Sequence, residues 1–454
     1  MLKAGSAGRL RSPPHPLCSK LVPVFIQHEK SSAIGQRFTT RLPRPRTFDA
    51  WAKYRDYRFL WTGNFCANSA QWLQLMSLGW LIHHLTEGSS NSSLLVVTVG
   101  GINTLPGLLI GPWGGVLGDR VDRRKLVISI QIFMGVFAFS FAMLVRSDAV
   151  AVWHVYAYAI VSGGCLSVSQ PMRQALIANT VPREALINAY AANVLTIPGT
   201  RMIGPFIGGI IVATLGFFWN FTIESMLYVG MILASLPMKT PYTISRSGVA
   251  SGVSGMLSDM AEGLRFVWSG NRVLFLVMML TLVPNVALQP VMFLLPLFTS
   301  EVLGRGADVG GYMMAASGFG GLVMAVVIAS FGFIYGRGKV CLVTAIASCC
   351  IALALTQAVW LPAALVAIAV FAGSQNTFRT TSGTMIQTLT PDELRGRVTS
   401  LQRYGHGFVV GSSLLVGWFA GVTSATAAMV AMGVAGLVVA VPFAIVSKRL
   451  REQA

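Results

Sequence analysis

Eleven residues between two apolar stretches, Gly115-Val116-Leu117-Gly118-Asp119-Arg120-Val121-Asp122-Arg123-Arg124-Lys125, put glycines, two carboxylates and four cations into one short turn. Glycines let two helices approach closely. An Asp beside several Arg at a membrane edge can pair charges or sit at a neighbouring helix N-terminus. Contacts of this kind can be made in one state and broken in another. That suits a gate built from Gly115, Leu117, Gly118, Asp119, Arg120, Asp122, Arg123 and Arg124. Later in the chain stands a counterpart, Gly332-Phe333-Ile334-Tyr335-Gly336-Arg337-Gly338-Lys339, with Gly336 where the acid was. Arg337 is the gate candidate there, and a switch built on the acid is asymmetric.

A second cluster reads Arg201-Met202-Ile203-Gly204-Pro205-Phe206-Ile207-Gly208-Gly209. Gly and Pro inside a membrane helix permit a bend and tight packing on a partner, so Arg201, Gly204, Pro205, Gly208 and Gly209 form one candidate set. Arg201 and Glu224 are charges within apolar stretches, where a charge at mid-bilayer costs several kcal/mol and needs a partner or a job. Their helices are joined by a very short turn, and the two residues differ in depth by ~5 residues, or ~7 Å. Two readings stand: Glu224 is a proton or substrate site, or Arg201 and Glu224 form a buried ion pair that fixes two helices.

Asn64, Asn68 and Gln71 fall at i, i+4 and i+7, one face of a helix, and Gln74 follows. A polar face in a membrane helix points to the bundle interior or to a water-filled cavity. The expectation is a central cavity; helix–helix hydrogen bonding is the alternative. Asn103, Gln289, Gln375 and Asn376 are further cavity candidates, and Gln170, Asn193 and Asn285 are of the same type. His406 is either a titrating group or a packing residue.

Several chemistries are missing. No Walker loop occurs, so this chain does not hydrolyse ATP by that route. Zinc spacings and a nucleophile elbow are also absent. Cys18, Cys66, Cys165, Cys341, Cys349 and Cys350 include no C-x-x-C and no nearby His, and the vicinal Cys349 and Cys350 read as small apolar filler. The chain is not expected to be an enzyme, and no cofactor or metal is expected.

These residues must be positioned by membrane helices. Of 454 residues, 54% are AVILMFWYC and only 11% are charged, against about 25% charged in soluble domains. Mean hydropathy is +0.65. The apolar runs are ~20 residues long, which spells helices rather than barrel strands. Twelve stretches are expected, at 59–82, 94–117, 126–145, 150–170, 188–213, 217–236, 273–299, 309–331, 340–359, 361–382, 401–421 and 424–446. With the N-terminus in the cytoplasm, 31 of the 34 Lys and Arg fall on the cytoplasmic side; Arg146 and Arg305 fall opposite, and Arg201 lies in a helix. Cytoplasmic loops collect Lys and Arg, so both ends are placed inside and the number of crossings is even.

The pattern repeats. Two six-helix halves, 58–236 and 273–446, each carry a basic loop after the second helix and another after the fourth. Many secondary transporters are built this way, with the substrate site at the midplane. The linker 237–272 is Ser/Gly-rich and then amphipathic, which suggests an interfacial helix; a plain solvated linker is the alternative. Residues 447–454 form a cytoplasmic tail. Residues 1–57 form a basic tail with no apolar core for a secretory signal. An unstructured segment is the first expectation; an organellar transit segment or a mis-called start are the others.

The 115–125 segment resembles motif A of the major facilitator superfamily, with Asp122 in the usual second-Gly position, a form similar to the branch of the enterobactin exporter and related drug–proton antiporters. The 199–209 segment resembles the exporters' motif C, with its first Gly displaced to Gly199. Arg58-Phe59-Leu60-Trp61 and Trp72-Leu73-Gln74 are similar to the same branch. The sugar-porter and oligopeptide-porter signatures are missing. The resemblance covers 58–446 and implies an all-α membrane fold of twelve transmembrane helices in two pseudo-symmetric halves. By the same resemblance, the chain is a monomeric, proton-coupled exporter of a small amphipathic molecule, of drug or siderophore class, working by alternating access with Asp119 latching the cytoplasmic side. Its partners are then the cargo, protons and the lipid bilayer, with no nucleic acid. The location is a bacterial-type inner (plasma) membrane, or an organellar inner membrane as the alternative. An importer, a lipid flippase, an uncoupled facilitator or a non-transporting receptor or scaffold of the same fold are the rival readings.

Overall fold

The computed structural model describes residues 49–110, 121–241, 264–268, 272–331, 336–391, 394, 398, 401–402 and 407–452. The tail before residue 49, gate candidates Gly115, Leu117, Gly118, Asp119 and Arg120, linker residues 242–263 and His406 lie outside them. Among the described residues there is no strand.

A helix falls on each of the twelve expected stretches. In order they are α1 Arg55–Leu85, α2 Ser92–Ile110, α3 Arg123–Arg146 and α4 Val152–Thr180. Then come α5 Arg183–Leu215, α6 Phe217–Ser235, α7 Arg272–Glu301 and α8 Ala307–Phe331. The last are α9 Arg337–Thr356, α10 Leu361–Leu389, α11 Phe408–Val422 and α12 Ala425–Val446. Short helices Asp49–Lys53 and Lys448–Arg451 flank the set. Among the described residues, nine helices are long and apolar enough to span a membrane. The remaining three are α1 and α4, which carry many polar side chains, and α11, which is short. The bundle's outer face is apolar, with Val136, Trp153, Leu233, Val366, Leu415 and Val438 exposed. A helix satisfies its own backbone hydrogen bonds, which is what lets such a surface sit in lipid.

Packing among the first six helices centres on α1, which lies against α4, α5 and α6, while α3 lies on α4 and α6. Rings lock the latter set: Phe137 and Phe141 of α3 sit 5.0 and 4.5 Å from Tyr158 of α4, and Phe221 of α6 meets Phe141 edge-on at 4.8 Å. Among the last six, α10 packs on α8 and α9, and α12 on α7 and α9. Between the two sets the main contacts are α5 on α8 and α2 on α11, with a smaller one of α2 on α7. α1 begins and α12 finishes at the same end of the bundle, the termini end. Leu85, Leu215 and Ala307 lie at the opposite end.

Three expected boundaries change. α4 continues through Pro171 to Thr180, ten residues past its expected end. A helix usually stops before proline, but Met172, Leu176 and Ile177 recur at helical spacing and are buried against Tyr57, Leu60 and Val127. That packing carries the helix onward. α10 likewise runs on to Leu389, burying Met385 and Ile386. Arg173, expected in a cytoplasmic loop, is therefore inside a helix, and Arg379, counted with the basic loop but within the expected stretch 361–382, is inside α10. α7 is broken by a π-helical segment, Val283–Leu288, between Arg272–Leu280 and Val291–Glu301. Pro284 and Pro290 withhold amide donors there, so the regular ladder cannot form.

Candidate functional site

The described part of the gate segment is an electrostatic clip between α3 and α6. Asp122 caps α3: its carboxylate accepts from the Arg124 and Lys125 amides at 2.9 and 3.2 Å. Arg124 turns away and donates from Nε to the Ser235 carbonyl at 3.0 Å and from its guanidinium to the Leu236 carbonyl. A cation on the open carbonyls at a helix C-terminus is favourable for both dipole and hydrogen bonding. Close by, the Lys239 amide donates to the Asp56 carboxylate at 2.8 Å, tying α1 to the end of α6. Arg123 and Arg337 stand at the first positions of α3 and α9.

The α5 cluster is a two-sided packing surface. A Cβ on Gly204 would lie 3.1 Å from the Trp72 Cβ, and one on Gly208 would lie 3.4 Å from Leu73, so both face α1. Gly209 faces α8: a Cβ on it would lie 2.7 Å from the Ala307 carbonyl and 2.8 Å from the Gly311 Cα. Pro205 presents its carbonyl to Gly311. Glycine is required at Gly209 and Gly311 because the two backbones touch. Other close contacts at this end join Gly79 of α1 to Pro296 of α7, and Trp80 of α1 to Gly310 of α8.

On the termini side of that contact lies a cavity with about 530 Å³ of empty space, part of it open to solvent, between α5, α7, α8 and α10. Arg201, Gln289, Gln375, Asn376 and Arg379 supply its polar lining; Ile197, Leu288, Met292 and Phe371 supply the apolar part. Three of the expected cavity residues, Gln289, Gln375 and Asn376, are thus brought together with Arg201. Arg379 joins them unforeseen. Its guanidinium donates to the Gln289 side-chain carbonyl at 2.5 Å. Arg201 lies over the Trp72 ring at 5.0 Å, and its nearest acceptor is the Met292 sulfur at 3.7 Å. Among the described residues the buried Arg201 Nε and Gln375 Nε2 atoms have no acceptor, no carboxylate lines this cavity, and none pairs with either arginine. On insertion scales an arginine at the membrane centre costs ~2.5–3.5 kcal/mol; Arg201 is half-buried, whereas Arg379 is exposed in the open part of the cavity.

Arg201 and Glu224 do not pair. Depth allowed it, but the two side chains leave their helices in different directions. Glu224 is completely buried and accepts a hydrogen bond from the Tyr158 hydroxyl at 2.8 Å. Its second oxygen has no hydrogen-bond partner among the described residues. Beside it lies a smaller cleft, with room for about a single water (about 20 Å³), lined by Gln71, Gln74, Asn103, Gln131, Arg173 and Tyr228 among others. Asn103 is held there by donating to the Ala159 carbonyl and the Ser162 hydroxyl at 2.9 and 3.1 Å. Arg173 is buried, and among the described residues its Nε and Nη1 have no acceptor.

Asn64 and Asn68 are in neither cavity. Asn64 donates to the Asn193 side chain at 2.9 Å and Asn68 to the Thr196 hydroxyl at 3.3 Å. Tyr57 and Trp61 donate on the same face to the Ala189 and Ala192 carbonyls at 2.6 and 3.1 Å. This polar face is a hydrogen-bonded seam between α1 and α5, the alternative reading of its spacing.

A family model described as transmembrane secretion effector matches residues 49–454. The chain belongs to the major facilitator superfamily. Curated relatives include a staphyloferrin A transporter of Staphylococcus aureus, 22% identical over 402 residues, which cover 87% of this chain and 97% of that one. The enterobactin exporter EntS of Shigella flexneri is 25% identical over 393 residues, covering 84% and 91%. Among solved structures, a POT family transporter superposes with a TM-score of 0.68 at 9% identity, covering 88% of this chain and 97% of that one. A D-xylose–proton symporter gives 0.64 at 13%, covering 86% and 96%. These structures show the fold, all-α and of the major facilitator type; the family match makes the chain a multi-pass membrane transporter and not an enzyme.

Within this superfamily member, sequence reasoning missed Arg173, Arg379, Tyr158 and Trp72 as site residues. Arg379 had a signal. Gln375, Asn376 and Arg379 stand at i, i+1 and i+4 within the expected stretch 361–382, so they share one side of a helix. Trp72 is marked by its motif resemblance but not as a partner of Arg201, and Tyr158 is an ordinary apolar-run residue until its partner is known.

Proposed function

We propose that the chain is a proton-coupled exporter of a small amphipathic molecule, of drug or siderophore class, in a bacterial-type inner membrane. The halves 58–236 and 273–446 rock against each other, and the linker 237–272 joins them on the cytoplasmic side. The observation that carries this reading is the polar cavity between α5, α7, α8 and α10, backed at one end by the touching glycines of α5 and α8. A cargo entering from the termini end meets donors and apolar walls together, and separation of α5 from α8 is the step that would release it opposite. Termini in the cytoplasm fit the basic-residue count. Moving Arg173 and Arg379 into helices leaves 29 basic residues on that side against two opposite, still a one-sided distribution.

Glu224 is the proton-carrying group in this reading, since it is a carboxyl enclosed by Tyr158 with no cation paired to it among the described residues. Asp119 latches the cytoplasmic side, next to the Asp122 and Arg124 clip. Export direction is supported by the enterobactin exporter among the relatives.

The test compares secreted small molecules from cells with the chain, without it, and with Glu224→Gln, each with and without a protonophore. Compounds found outside only with the intact chain, and lost on adding protonophore, are the expected outcome. Compounds accumulating inside would make it an importer. Export indifferent to protonophore would remove the proton coupling.

A further inference from the structure

Resting on the transporter reading, the geometry points to a cargo that is an organic acid, held through its carboxylate between Arg201 and Arg379. Four observations converge on this. Two guanidinium groups from different helices, α5 and α10, line the same cavity. Among the described residues no carboxylate lines it and none pairs with either group. Among the same residues Arg201 has a buried Nε without an acceptor, and it meets a thioether and the face of Trp72. Arg379 meets the neutral amide of Gln289, which holds it in place.

A guanidinium is always charged and offers only donors, in a planar fork that matches a carboxylate. Two of them facing one space repel each other until an anion arrives. A neutral cargo would leave both charges uncompensated, and a cation would add to the repulsion. At the half-buried Arg201 this discriminates more strongly than on a fully solvated surface.

The rest of the cavity fits the body of such a molecule. Phe371, Leu288 and Met292 give an apolar wall beside the charged pair. Arg379 lies 18 residues along α10 and ten from its end, so it is ~15 Å from the termini end. An acid entering from that side meets Arg379 first, and Arg201 lies deeper, stacked on Trp72. Gln289 is a positioning residue in this scheme.

The experiment uses the purified full chain in detergent and reads intrinsic tryptophan fluorescence, because Trp72 lies against one of the two arginines. Three probes are titrated: citrate, its neutral trimethyl ester on the same skeleton, and the cation ethidium read by its anisotropy. The expected result is a saturable response to citrate, at least tenfold weaker for the ester, and none for ethidium. Arg379→Gln weakens citrate at least tenfold, and Arg379→Lys recovers part of the loss by restoring charge without the fork. The comparison of acid with ester uses the unaltered protein and stands even if a variant fails to fold. No response to citrate, equal response to citrate and ester, or preference for ethidium overturns the proposal. Citrate binding in a protein whose export ignores a protonophore would leave the anion site standing and remove only the proton coupling. Protonophore-sensitive export of neutral or cationic compounds, with no citrate response, would do the reverse.

Discussion

Replacing Gly311 by alanine places a methyl group 2.6 Å from the Pro205 carbonyl oxygen and 2.8 Å from the Gly209 Cα. Ordinary contact begins near 3.4 Å, so the shortfalls are about 0.8 and 0.6 Å. Both obstacles are backbone, on a helix pinned to α1 through Gly204 and Gly208, and neither can swing aside. The two helices must part at this end, or bear the overpacking. Such insertions cost about 1–3 kcal/mol, which is roughly a five- to 150-fold change in the ratio of closed to open forms if only the closed form suffers. The assay is alkylation of a cysteine placed at Ala307, which is 8% exposed beside Gly209, in a background with the native cysteines replaced by alanine. A membrane-impermeant maleimide is added from the side opposite the termini. The expected outcome for Gly311→Ala is alkylation faster by a factor in that range, with cargo affinity from the termini side reduced. An unchanged alkylation rate in a folded protein would refute the argument that α5 and α8 touch as a closed door.

Glu224→Gln should remove the dependence of export on an imposed proton gradient while leaving cargo binding in place, measured as flux in inverted vesicles with and without the gradient. Asn64→Ala deprives the buried Asn193 side chain of its donor and should cost about 1–3 kcal/mol of stability, read as a lower denaturation midpoint in detergent, with cargo affinity unchanged; a changed affinity would return Asn64 to the cavity. Arg124→Ala should leave the Ser235 and Leu236 carbonyls without that donor and cost about 1 kcal/mol, the low side for a charged donor because the site is half exposed, again as a midpoint shift.

The helical stretches were legible because a run of ~20 apolar residues has few alternatives. Their ends were not. Pro171 and the polar Thr380-Thr381-Ser382-Gly383 segment look like stops, and only the burial of Leu176, Ile177, Met385 and Ile386 against other helices keeps the chain wound. The same blindness filed Arg173 as a loop charge, since a cation at the edge of an apolar run reads alike on either side of the boundary. For Asn64 and Asn68, periodicity says which side is polar, and the docking of α5 decides what that side meets. Depth arithmetic for Arg201 and Glu224 suffered the complementary gap. It fixes height along the helices and leaves the angle around each axis open; Arg201 lines the large cavity, whereas Glu224 is buried against Tyr158.

The wide turn at Val283–Leu288 holds one backbone bond pattern inside another. Because each residue of an α-helix advances the side chain by about 100°, removing a single residue there and restoring ordinary winding would spin everything after it by roughly that angle. Gln289 would then point elsewhere, and Arg379 would lose its tether. The aim of the tether is thus indexed by an irregularity immediately upstream, like a key cut whose meaning depends on one spacer. A shortened chain could keep every lining residue and still have a lock that no longer turns.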